Sequence, residues 1–312
     1  MPGPLSVLLI ALGLLTLVFV AFWATLVRNA RRHPQRGDPA AVTLAAPTPL
    51  QTGIGAVTNF FDALGIGSFA TTTSIFRLKK IVQDQLIPGT LNSGHTLPTV
   101  AQALIYTTII EVDETTLISM IATSVLGAWL GAGIVARWPR RKIQIGMGIA
   151  LLVASTLMFM TQLQRFPLGG EAIGVGGVRL IIALVGNFML GALMTLGIGL
   201  YAPCMILVSL LGMNPRAAFP IMMGSCAFLM PVGSLRFIRE RRYHLQAALG
   251  LALGGVPGVL LAAFIVRSLP LGAIRWLVIA VVIYTATTML RSARVERQMA
   301  ATVAVPLRPD PL

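Results

Sequence analysis

One carboxylate stands out because of what surrounds it. Asp62 lies in residues 53–76 (GIGAVTNFFDALGIGSFATTTSIF), a stretch apolar enough for a membrane that also carries Asn59, Ser68, Thr71, Thr72 and Thr73. A carboxylate at the bilayer centre costs roughly 2.5 kcal/mol or more, so Asp62 should face a bundle interior or a wet cavity. Gly65 and Gly67 let the backbone leave helical geometry, and amides freed there can point at a ligand. The pattern returns in residues 187–211 (NFMLGALMTLGIGLYAPCMILVSLL), where Leu196-Gly197-Ile198-Gly199 matches Leu64-Gly65-Ile66-Gly67 and Tyr201-Ala202-Pro203 aligns with Phe69-Ala70-Thr71. Interrupted apolar segments at corresponding places in two halves point to a transporter's binding site.

The chemistry these residues suit is reversible anion binding. Helix N-termini carry about half a positive charge and unpaired amides, so converging half-helix ends hold an anion without a lysine. Candidate donors are the backbone at Gly65, Gly67, Gly197 and Gly199, the hydroxyls of Thr71, Thr72, Thr73 and Tyr201, and the side chains of Asn59, Asn187, Gln102 and Ser225. Plural weak contacts suit transport, since the substrate must also leave. Asp62 would repel an anion while ionised. Burial favours a neutral carboxyl, so its expected role is proton coupling or gating. Plainer readings stand beside these. The glycines can serve helix packing, the threonines can bond back to their own helix, and Asp62 can pair with a polar neighbour. Cys204 reads as an apolar filler, and Glu111, Asp113 and Glu114 as a solvated outer loop.

Enzyme chemistry finds little to work with, because Asp62 has no ionisable partner within the apolar spans. No phosphate-binding G-x-x-x-x-G-K-[ST] occurs, which argues against ATP as the direct drive. Cys204 and Cys226 show no disulfide or metal spacing, and His33, His95 and His244 are scattered in expected loops, so no metal or other cofactor is expected.

The elements that must position these residues follow from composition. The 312 residues are 56% hydrophobic and 11% charged, too apolar for a soluble protein. The net charge of +14 sits in short clusters between apolar spans, a membrane-topology pattern rather than a nucleic-acid-binding face. Residues 4–27 read as a transmembrane helix with its N-terminus outside, a cleaved signal being the alternative. Further spans are expected at 98–110, 116–135, 143–160, 215–235 (broken by Pro220 and Pro231), 245–266 and 276–290, with 81–96 a polar loop. If each motif dips in and returns to its own side, all five basic clusters (28–36, 77–80, 137–142, 236–242 and 291–297) lie in the cytoplasm.

The expected fold is therefore an all-α polytopic membrane protein of two inverted-topology repeats. Each has a broken or re-entrant motif helix plus three transmembrane helices, and one extra helix precedes them. The expected divisions are 1–50 for the first helix and a cytoplasmic linker, 51–161 for the first repeat and 162–178 for a connecting loop. The second repeat is 179–291, and 292–312 is a cytoplasmic tail. The small-residue face at Gly127 and Gly131 suits packing within one chain or a homodimer.

Residues 51–291 resemble the sulfite exporter TauE/SafE family of bacterial anion permeases. The resemblance rests on the paired glycine motifs, on SVLGAWLGAGI (124–134) with LGGVPGVLL (253–261), and on the acidic turn Glu111-Val112-Asp113. It also rests on Arg137-Trp138-Pro139 with Arg267-Ser268-Leu269-Pro270 before the last helix of each half. Family members usually carry a glycine triplet followed by a proline in the motif, and here only the second half keeps a proline, Pro203. The resemblance implies secondary transport of small sulfur oxyanions, organosulfonates or carboxylated anions across the bacterial inner membrane, without covalent chemistry. Partners are then the anion and the lipid bilayer, with no nucleic acid. An anion channel and a non-transporting scaffold subunit are the competing readings.

Overall fold

The computed structural model describes residues 3–32, 46–65, 67–83, 86–135, 170–194, 200–239 and 243–268, with scattered positions between 141 and 163 and between 276 and 297. The described residues form helices and no strands. In chain order these are α1 (Pro4–Arg32), α2 (Pro49–Ala63), α3 (Ser68–Lys79), α4 (Ile87–Ile109), α5 (Glu114–Val135), α6 (Gly177–Met194), α7 (Tyr201–Leu210), a 3₁₀ turn (Pro215–Ala217), α8 (Ala218–Arg239) and α9 (Leu245–Ser268). The expected spans 143–160 and 276–290 lie largely outside the described residues.

Local chemistry explains the boundaries. Thr48 and Gln51 form a reciprocal capping box ahead of α2, with Pro49 in the first turn where its missing N–H costs nothing. Gly65 and Gly67 have φ of 89° and 85°, values a side chain disfavours, and the chain breaks there between α2 and α3. Asp113 caps α5, its Oδ2 accepting from the Thr116 amide and hydroxyl at 2.8 Å each. That carboxylate is exposed as expected, yet it is a structural cap.

Two expectations are corrected. Most of the region read as a polar loop, 81–96, is the start of α4, which begins at Ile87 and takes a proline into its first turn. Its threonines return hydroxyl bonds to the helix, as Thr90 does to Leu86 O at 2.7 Å. Nor do the prolines break α8, which runs unbroken through Pro231, while Pro220 falls in its first turn. A proline in the first turn forfeits no helical bond.

Segments 4–28, 177–194, 215–239 and 245–263 are long and apolar enough to cross a membrane. The polarity of the bundle is inside out. Leu17, Trp129, Val178, Ile181 and Leu253 are exposed, while Asn59, Asp62, His95, Gln102 and Asn187 are buried. A bilayer solvates such a surface and leaves polar groups to satisfy one another within the bundle.

Helix pairing crosses between the halves. α2 packs against α9, and α6 packs against α5; α4 packs against α8 at the centre. The first helix of each half thus lies on the small-residue helix of the other. Both seams are glycine-lined. A Cβ at Gly254 would stand 1.9 Å from Thr52 O and one at Gly258 2.2 Å from Ala56 O. In the other seam, a Cβ at Gly127 would stand 1.9 Å from Phe188 O and one at Gly191 2.0 Å from Ser124 O. Gly127 is therefore spent on packing inside the chain, while the side-chain surroundings of Gly131 lie outside the described residues. α1 covers α8 from outside, with Trp23 Nε1 donating to Tyr243 Oη at 3.2 Å.

Gly254→Ala should lower the thermal stability of the detergent-solubilised protein by about 1–3 kcal/mol, because the backbones must separate. Gly53→Ala, which meets nothing within 4 Å, should not lower it, since alanine is the better helix former. Thermal unfolding followed by size-exclusion chromatography compares the two.

Candidate functional site

The polar side chains of the first half gather in two stacked layers, and helical periodicity explains the stacking. Asn59 and Asp62 are three apart on α2, Ser68 and Thr72 four apart on α3, and His95 and Gln102 seven apart on α4. Each spacing returns a side chain to the same face of its helix.

The first layer holds Asp62. Its Oδ1 accepts the backbone N–H of Ser68, the first residue of α3. Its Oδ2 accepts Gln102 Nε2 at 2.9 Å. Gln102 Oε1 in turn accepts the hydroxyl of Tyr201, the first residue of α7, at 2.8 Å. These partners fix the direction of the Gln102 amide, since an ionised carboxylate only accepts and the amide oxygen must then face the phenol. Among the described residues no cation pairs with Asp62. Its charge is met by a helix N-terminus and a neutral amide.

The second layer is Asn59, His95 and Thr72, all fully buried. Asn59 Nδ2 donates to Gly55 O at 2.8 Å, which turns its Oδ1 toward His95 Nδ1 at 3.1 Å. His95 Nε2 lies 3.1 Å from Thr72 Oγ1. With Nδ1–H donating to Asn59, the bare Nε2 accepts from Thr72, the pattern of a neutral imidazole. His95 was expected in a loop. It lies instead in the core of α4, where its ring spans the gap between α2 and α3. Because 62 pairs with 68, and 59 reaches 72 through this ring, α3 folds back along α2.

Each expected donor has a definite place. The Gly65 amide donates to Asp62 O at 2.8 Å, closing the end of α2. Gly67 has open space around it. Thr71 bonds back to Ser68 O at 2.8 Å, and Thr73 is half-buried on the same helix. In the second half, Asn187 Nδ2 donates to Met120 O at 2.7 Å and to Ser225 Oγ at 3.2 Å, while Asn187 Oδ1 is buried without a partner among the described residues. Gly197 and Gly199 lie outside the described residues. The structure thus joins Asp62, Gln102 and Tyr201 in one network, Asn59 and Thr72 in a second, and Asn187 with Ser225 in a third.

Three participants were not singled out as donors in the sequence. Ser68 enters through its backbone, for which composition gives no sign. His95 was signalled by its spacing of seven from Gln102, visible once α4 is extended to Ile87. Tyr106 stands one turn beyond Gln102; its ring stacks on Phe219 at 5.6 Å between centroids, and its buried hydroxyl has no partner among the described residues. One turn further, Ile110 lines a cavity of about 250 Å³ with Glu111, Asn214, Arg216 and Ala217. Along this stretch Tyr106 thus stands between Gln102, which bonds Asp62, and Ile110, which lines the cavity.

Gln102→Leu should destabilise the protein by about 1.5–3 kcal/mol, the usual worth of a hydrogen bond to a charged group. In Asp62→Asn the same change should cost distinctly less, because the charge that needs the donor is gone. A double-mutant cycle of melting in detergent reads the coupling.

The comparisons with known proteins agree with the family resemblance in the second half. Residues 179–309 match the family model described as Sulfite exporter TauE/SafE. No curated protein and no solved structure matches the chain. The match and the apolar helices together point to a multi-pass membrane protein.

Proposed function

We propose that this chain is a secondary transporter that moves small sulfur-containing or organic anions across the bacterial inner membrane. The match of residues 179–309 to a sulfite exporter family, one of transporters rather than enzymes, supports the substrate class. The observation that carries the reading is the bonded chain Asp62–Gln102–Tyr201. It ties the break of the first glycine motif to the helix that follows the second, in the interior of an apolar bundle.

Alternating access needs two related halves that rock about one site. The crossed packing of α2 on α9 and of α6 on α5 supports inverted repeats. The basic clusters support a cytoplasmic C-terminus and an outside N-terminus. In this arrangement the cavity beside Glu111 and Arg216 faces outward, and Tyr106, one turn before Ile110, lies on the way from it to the donor cluster. The anion is held by neutral donors, and the drive is a proton gradient taken up through Asp62.

Proteoliposomes containing the full chain should take up labelled sulfite, methanesulfonate or acetate with saturation, faster when a pH gradient is imposed. Tyr201→Phe, which removes this bond between the halves, should cut the initial rate about tenfold or more while the protein stays folded. Unsaturable flux of all three anions indicates a channel instead, and no flux of any from folded protein contradicts the transporter reading.

A further inference from the structure

The donors that the motif frees are already occupied. The carboxylate of Asp62 takes the Ser68 N–H at the start of α3 and the side-chain amide of Gln102, with Tyr201 bonded behind it. A helix N-terminus and a primary amide are what an oxyanion would otherwise bind. Beside them the Tyr106 hydroxyl is buried and unpartnered among the described residues, and it lies within electrostatic reach of Asp62. An unsatisfied buried hydroxyl costs about 1–3 kcal/mol, so a site that keeps one has an acceptor to gain. Among the described residues no cation stands nearby to hold a second negative charge.

We propose that Asp62 is a tethered stand-in for the transported anion, and that the two exclude each other at the donor set of Ser68 N–H, Gln102 and Tyr106. This rests on the transporter reading above and supplies its coupling step. In the empty protein the carboxylate fills the site. On loading, a proton from the solution on the loading side adds to a carboxylate oxygen. The neutral carboxyl releases Ser68 N–H and Gln102, the anion takes their place, and the new carboxyl O–H is one more donor toward it. No covalent bond forms to the anion. The site carries one negative charge before and after, so a monoanion crosses with one proton and no net charge.

The groups that share this site are few. α4 brings Tyr106, α7 brings Tyr201 and α8 brings Cys226 toward Asp62. α3 offers Ser68, and α9, packed on α2, has no titratable residue between 245 and 266. His95 lies one layer away, both ring nitrogens bonded. Asp62 is thus the group able to trade a proton for an anion.

The test uses the full chain in proteoliposomes with methanesulfonate, which stays ionised across the range, or whichever of sulfite and acetate the wild type carries in its place. The wild-type KM should rise about tenfold per pH unit on the alkaline side, since one proton must bind with each anion. Clamping the membrane potential should not alter accumulation. Asp62→Asn should make KM independent of pH and abolish accumulation driven by a pH gradient. Should that variant fail to fold, the wild-type KM series decides alone. A pH-independent wild-type KM, or gradient-driven accumulation that persists in Asp62→Asn, overturns the proposal while saturable flux leaves the transporter reading standing. Absence of flux for all three anions removes both.

Discussion

A carboxyl group buried among apolar helices without a cation must be met by hydrogen-bond donors, and this requirement shapes the first half of the molecule. The donors that meet Asp62 include a helix N-terminus and the side-chain amide of Gln102, with the Ser68 and Tyr201 side chains beside them. To present a helix N-terminus six residues after the carboxylate, the chain must stop α2, turn, and start α3 pointing back. Gly65 and Gly67, both at positive φ, make that turn possible, and the Gly65 amide closes the end of α2. To present Gln102, α4 must lie alongside. A single buried charge thus calls for the hairpin and for its neighbour.

The same economy of space governs the approach of the halves. α9 reaches α2 because Gly254 and Gly258 let backbone meet backbone, and Gly255 leaves room for Asn59, whose Nδ2 a Cβ there would approach to 2.5 Å. Without lipid-side hydrophobic drive between helices, close packing and buried hydrogen bonds must hold the bundle together. The Tyr201–Gln102 bond is one such tie between halves, and Met205 of α7 lies over Gly65, where a Cβ would meet its Cε at 2.0 Å. A shift of either half would strain or break these contacts, which makes the site and the interface between halves one object.

What the sequence conveys is the part that depends on composition and on repeated spacing. The apolar runs that fall within the described residues, the glycine break at 65–67 and the small-residue helix containing Gly127 are local signals, and each of these has its counterpart in the structure. The start of α4 was misread because residues 87–96 are rich in Thr, Ser, Asn and Gly, which look like a loop until their hydroxyls are seen bonding back to the helix. His95 falls in that polar stretch, so its place between two buried helices has no local signal. The Ser68 backbone N–H is a donor whose use depends on the turn geometry. The crossed pairing of the halves is a tertiary fact, foreshadowed only by the repetition of LGIG.

The central claim is that Asp62 and the substrate anion compete for one set of donors, with a proton as the exchange partner. Infrared difference spectroscopy of the reconstituted protein, recorded as methanesulfonate is added, tests it most directly. The account predicts that anion binding brings up the C=O stretch of a protonated carboxyl, at the expense of a carboxylate band, and that Asp62→Asn lacks both changes. Saturable anion binding without any carboxyl signal in the wild type would contradict it.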